Sequence, residues 1–82
     1  MLKSVVLKLG EIYVPAKHRK DLDAAKIETL AESIIENGQQ TPIQVRRGKD
    51  RYVLITGVHR LEALKALGEE TIEAYIVSAR KF

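Results

Sequence analysis

Apolar and polar positions alternate from the start of the chain. Val5, Leu7 and Leu9 recur at period two, which predicts a strand over 3–9 that Gly10 ends. No period holds over 11–22, around Pro15, and an irregular connection is expected there. The pattern then changes. Ile27, Leu30, Ala31, Ile34 and Ile35 follow the i, i+3, i+4, i+7, i+8 series of one helical face, predicting a helix over 24–37. Asp23 is suited to cap its start and Gly38 its end. Gln39-Gln40-Thr41-Pro42 is a short link. Ile43-Gln-Val-Arg-Arg47 alternates again, Gly48-Lys49-Asp50 reads as a hairpin turn, and a strand over 51–56 holds the apolar run Tyr52-Val53-Leu54-Ile55. Leu61, Leu64 and Leu67 predict a second helix over 58–67, closed by Gly68. Ile72, Ala74 and Ile76 mark a last strand over 71–77, followed by a polar tail. The order β, loop, α, β, β, α, β predicts a small α+β domain with a mixed sheet and two main helices. Ile27, Leu30, Ile34, Val53, Ile55, Leu61 and Leu64 are expected to be buried together.

Composition narrows the chemistry. The 82 residues make one domain, 1–82, with a thin core that oligomerisation, for instance as a homodimer, or ligand binding would support. Cysteine is absent, which removes disulfides, thiolate chemistry and cysteine-ligated zinc. His18 and His59 lie far apart, a poor basis for a metal site. No apolar run approaches membrane-spanning length and no signal-peptide pattern opens the chain, so a cytoplasmic protein is expected. A net charge of +3 suits nucleotide or nucleic-acid partners without requiring either.

The stretch Thr56-Gly57-Val58-His59-Arg60-Leu61-Glu62-Ala63 concentrates the candidate chemistry. A glycine between strand and helix permits close backbone approach, and a helix start presents unpaired N–H groups with partial positive charge. His59 and Arg60 add donors, making an anion site of the kind that holds phosphates. The same octet also reads as a plain turn and a solvated helix. Other cations lie in the row Lys17-His18-Arg19-Lys20 and on the hairpin, as Arg46, Arg47, Lys49 and Arg51. Lys26, Thr29 and Ser33 share one helical stripe and can face a common neighbour.

Three segments, in order, resemble the ParB/sulfiredoxin superfamily. They are Pro15 followed by Arg19 and then Asp23; Leu30-Ala31-Glu32-Ser33-Ile34 leading through Asn37-Gly38 to Thr41-Pro42-Ile43-Gln44-Val45-Arg46; and Gly57-Val58-His59-Arg60-Leu61-Glu62-Ala63. The resemblance runs from about Val14 to Val77. In ParB proteins the third box holds glycine, glutamate and two arginines; in sulfiredoxins it holds glycine, cysteine, histidine and arginine. This chain is similar to the latter without the cysteine. Val58 stands at that place, and a valine forms no thiol intermediate. The free-serine kinases of the superfamily carry a carboxylate just after the loop proline, where this chain has Ala16, Lys17 and His18.

The resemblance implies a ParB N-terminal-like domain that binds a nucleoside triphosphate, CTP or ATP, with or without Mg2+, at the start of the second helix. Gly57, Val58, His59, Arg60 and Arg19 would hold the phosphates. Lys26, Thr29 and Ser33 would face base and sugar, and Thr41 and Pro42 would wall the base pocket. Glu62 would orient Arg60, serve a magnesium ion as the sole candidate metal or catalytic carboxylate, or pair with Lys65. The implied role is a switch or partner-binding module in plasmid or chromosome maintenance or other DNA-related work. A small ATP-dependent phosphotransferase, a weak NTPase or nuclease, and a scaffold that has lost its nucleotide are the alternatives. Partition ParB proteins continue into a helix-turn-helix reader where these residues stop, so DNA binding by this chain alone is expected to be non-specific.

Overall fold

The computed structural model describes residues 3–39 and 41–78. Gln40 and the tail beyond Ser78 lie outside the described residues. The elements are β1 (Val5–Lys8), a 3-10 turn (Leu9–Glu11), β2 (Ile12–Tyr13), α1 (Ala16–Arg19), α2 (Ala24–Asn37), β3 (Ile43–Gly48), β4 (Arg51–Thr56), α3 (Val58–Ala66) and β5 (Thr71–Ile76). The five strands form one sheet in the order β1-β5-β3-β4-β2. The sheet is mixed: β1 with β5 and β3 with β4 are antiparallel, while β3 with β5 and β2 with β4 are parallel. The α+β class and the two main helices stand as expected.

The differences in element placement are largest in the first quarter of the chain. The first strand stops at Lys8, and Leu9 turns inward at the start of the 3-10 turn, its N–H donating to Glu70 O at 2.9 Å. The connection expected to be irregular contains β2 and α1. Elements of two and four residues are too short to show a period, so pattern reading passes over them.

The core gathers Leu7, Leu9, Ile12, Val14, Ile43, Val45, Leu54, Val58, Leu61, Leu64, Ile72 and Ala74. It lies between one sheet face and α3, whose Leu61 is fully enclosed. Helix α2 packs beside α3 and contributes no fully buried residue. Ile27, Leu30, Ala31 and Ile34 are half-buried, and Ile35, expected inside, is 70% exposed. One neighbouring helix covers a narrower strip than the five-residue apolar stripe of α2. Val53 is a second correction. It is buried outside the core cluster, on the opposite sheet face from Leu54, because successive strand residues point to opposite sides. Ile55 is only half-buried.

Beyond the first residue of β3, a side chain continues the sheet. The Gln39 amide donates to Glu73 O at 3.0 Å and to Thr41 O at 3.1 Å, while its Oε1 accepts from Glu73 N–H at 2.8 Å.

Candidate functional site

Two helix N-termini lie side by side, and they differ in how their free amides are used. At α2, the Asp23 carboxylate accepts from Ala25 N–H at 2.9 Å and from Lys26 N–H at 3.4 Å, as its cap position predicts. That terminus is occupied by its own side chain. At α3, the cap residue is Gly57, which has no side chain to offer. The first helical bond runs from Leu61 N–H to Gly57 O at 3.0 Å. The amides of Val58, His59 and Arg60 precede it and have no partner within the helix. Partial positive charge therefore remains at the start of α3, where an anion can take it up.

Gly57 is required for a reason that needs no ligand. Its φ is +104°, a left-handed conformation that side chains disfavour, and an added Cβ would lie 2.6 Å from Ile43 Cγ2. The strand-to-helix turn thus closes directly onto a core residue. This packing requirement stands beside the expected role of the glycine in letting a phosphate approach the backbone.

His59 links the two termini. Its Nε2 accepts from Asp23 N–H at 3.1 Å. An imidazole nitrogen in that role carries no hydrogen, so Nδ1–H is the donor left for a ligand. Donation to a phosphate or a carboxylate, as expected of His59, would therefore have to come from Nδ1–H. Ala25, Lys26, Thr29, Leu30 and His59 line an open groove of about 430 Å³. The first two members of the Lys26, Thr29, Ser33 stripe are therefore brought together with His59. The Thr29 hydroxyl donates to Ala25 O at 2.9 Å, so its proton is already used within the helix. Ser33, Thr41 and Pro42 are not among the residues lining this groove.

Arg60 is half-buried in the first turn of α3 and Arg19 is exposed at the end of α1; neither makes an ion pair among the described residues. Glu62 pairs with Lys65 at 3.6 Å, the i, i+3 option of the three expected for it. Among the described residues no group of three or more His, Asp or Glu side chains is placed to hold a metal ion. His18 was not singled out by pattern. Its Nε2 is enclosed without a hydrogen-bond partner, an arrangement that costs stability unless another group satisfies it. Its sequence signal was only membership of the basic row.

A second groove, of about 460 Å³, runs between Ile34, Ile35, Leu64, Leu67 and Ile72 at the far end of α2. Glu69 and Glu73 on its rim make it unsuited to a polyphosphate. No described helix is long and apolar enough to cross a membrane.

Comparison with known proteins bears on the same arrangement. The family model for the ParB N-terminal domain matches residues 3–81. A probable chromosome-partitioning protein ParB of Campylobacter jejuni is 42% identical over 62 residues, which are 76% of this chain and 22% of that protein. The chloroplastic/mitochondrial sulfiredoxin of Arabidopsis thaliana is 35% identical over 94% of this chain and 62% of its own. Its crystal structure superposes with a TM-score of 0.84 at 34% identity, covering 94% of this chain and 86% of that one. The C-terminally truncated chromosome-partitioning protein ParB from Caulobacter crescentus, complexed with CTP-gamma-S, shares the fold. It has a TM-score of 0.81 at 23% identity, over 96% of this chain and 46% of that one. The chain spans about a fifth of the length of the ParB protein it matches in sequence.

Proposed function

Since this chain belongs to the ParB N-terminal domain family, we propose that it binds a nucleoside triphosphate at the start of α3 and acts as a switch or partner-binding module in chromosome or plasmid maintenance. The observation that carries this reading is the uncapped α3 terminus set beside the capped α2 terminus. The free amides of Val58, His59 and Arg60 would take phosphate oxygens, and Arg60 would add charge-assisted bonds through its planar fork. The groove walled by Lys26, Thr29 and His59 would take the base and sugar, with Leu30 and Ala25 as its apolar floor. Arg19, free of an ion pair among the described residues, would close on the phosphates from α1. That a neighbour of the same fold was crystallised with CTP-gamma-S supports a nucleoside triphosphate as the class of ligand.

A magnesium ion would arrive with the triphosphate, neutralising part of its charge, and Glu62 is the carboxylate this chain can bring to it. A chain with one such carboxylate is better equipped to bind than to activate water. The test is calorimetric titration with ATP, CTP, GTP and UTP, with and without magnesium, alongside a phosphate-release assay. Saturable binding of one or more triphosphates without turnover is expected. Turnover would favour the enzyme reading. No binding at millimolar concentration would leave the scaffold that has lost its ligand.

A further inference from the structure

The helices cover one face of the sheet. On the other face, the strand registers place Tyr13 of β2, Val53 of β4 and Arg46 of β3 in one row. Arg51, two residues from Val53 on the same face, lays its guanidinium 3.9 Å from the centre of the Tyr13 ring. Gly48 adds no side chain, and Val53 and Arg51 pack closely against it. Tyr13 is 40% exposed. On the opposite side of the same hairpin, Arg47 lies 5.8 Å over Tyr52. Arg46, Arg47, Lys49 and Arg51 make no ion pair among the described residues, and Asp50 is the sole acid within the hairpin. Arg46 and Arg51 thus share one sheet face with Tyr13, Arg47 and Tyr52 lie on the opposite face, and Lys49 sits in the turn that joins the two strands.

We propose that this hairpin end of the sheet is a platform for single-stranded nucleic acid. The positive charge selects a polyanion. The planes select among polyanions. A guanidinium stacked on Tyr13 keeps its outer face for a base and its N–H edge for a phosphate, and the exposed ring offers a second surface. A duplex hides its base faces within the stack and would meet the cations alone. An acidic protein surface would likewise use the charge and leave the planes idle. The platform is separate from the α3 terminus, which belongs to the helix layer.

Fluorescence anisotropy with a labelled oligo(dT) of about twelve nucleotides tests this. Binding is expected at low salt, with log K falling against log salt at a slope of about −2 to −3, from roughly 0.7 per phosphate neutralised by three or four cations. Tyr13→Ala, on an exposed edge position, should weaken binding about five- to a hundredfold. Arg51→Lys keeps the charge and removes the plane, and should also weaken it; thermal melting confirms that each variant is folded. A duplex of equal length and poly-glutamate should compete less well than the unlabelled strand. The proposal is overturned if Tyr13→Ala and Arg51→Lys bind as wild type, or if poly-glutamate competes as well as the strand. It is equally overturned if only Arg60→Ala reduces binding, which would assign the oligonucleotide to the α3 terminus. Nucleotide titration is unaffected by Tyr13→Ala under this proposal, so its failure and that of the triphosphate site are distinguishable.

Discussion

His59 Nε2 accepts the backbone N–H of Asp23 at 3.1 Å, while the Asp23 carboxylate caps α2. One residue therefore joins the start of α2 to the first turn of α3. Since α2 has no fully buried side chain, this tie weighs more than an ordinary surface hydrogen bond. His59→Ala should destabilise the fold by about 0.5–1.5 kcal/mol. It should also speed hydrogen exchange at the amides of the first turn of α2, with those of β3 and β4 left unchanged. Uniform loss of protection, or none, would count against the tie.

Arg60→Ala should weaken triphosphate binding about ten- to a hundredfold, the effect of losing a charge-assisted hydrogen bond worth roughly 1.5–3 kcal/mol. Circular dichroism should show an unchanged fold, because Arg60 makes no ion pair among the described residues and lies outside the core cluster. Wild-type affinity in this variant would mean that the phosphates lie elsewhere.

Gly57→Ala is expected to act on stability before it acts on binding. The strained φ and the approach to Ile43, which is only 2% exposed, together should cost roughly 2–5 kcal/mol. Urea unfolding measures this directly. A variant as stable as wild type would contradict the turn geometry. The substitution is consequently a poor probe of ligand contact, and Arg60→Ala is the better one.

Ile35 and Leu61 make a matched contrast. Ile35→Lys should change stability by no more than about 0.5 kcal/mol, as at an ordinary surface position. Leu61→Ala, at a position with no exposure, should cost about 2–5 kcal/mol. Equal effects would restore the fully buried stripe that periodicity alone suggested for α2.

Long periodic elements were legible in the sequence. The bounds of α2 agree at both ends with the expected helix, and Asp23 and Gly38 cap it as their chemistry implies. Strand β4 also has its expected limits. What periodicity cannot supply is the second partner of a face. It marked Ile35 as apolar on the correct stripe but could not say that α3 alone would cover that stripe. It marked Val53 as buried but not on which side. The candidate site was legible in part for the same reason. The α3 turn and its N–H groups follow from local order, and Lys26 and Thr29 from helical spacing. The bond between His59 and Asp23 joins residues 36 apart, and the contact of Gly57 with Ile43 is likewise non-local. Neither leaves a local trace.

The amide of Gln39 engages both polar groups of Glu73, and only a strand residue facing β3 can present both at once. Its neighbours Ile72 and Ala74 turn those groups toward β1. Sliding β5 by one position would leave the amide with no match and would turn the buried Ile72 and Ala74 outward. The side chain thus works as a key cut for a single alignment. It is set where the chain leaves α2, so the end of that helix is tied to β5 in this one register.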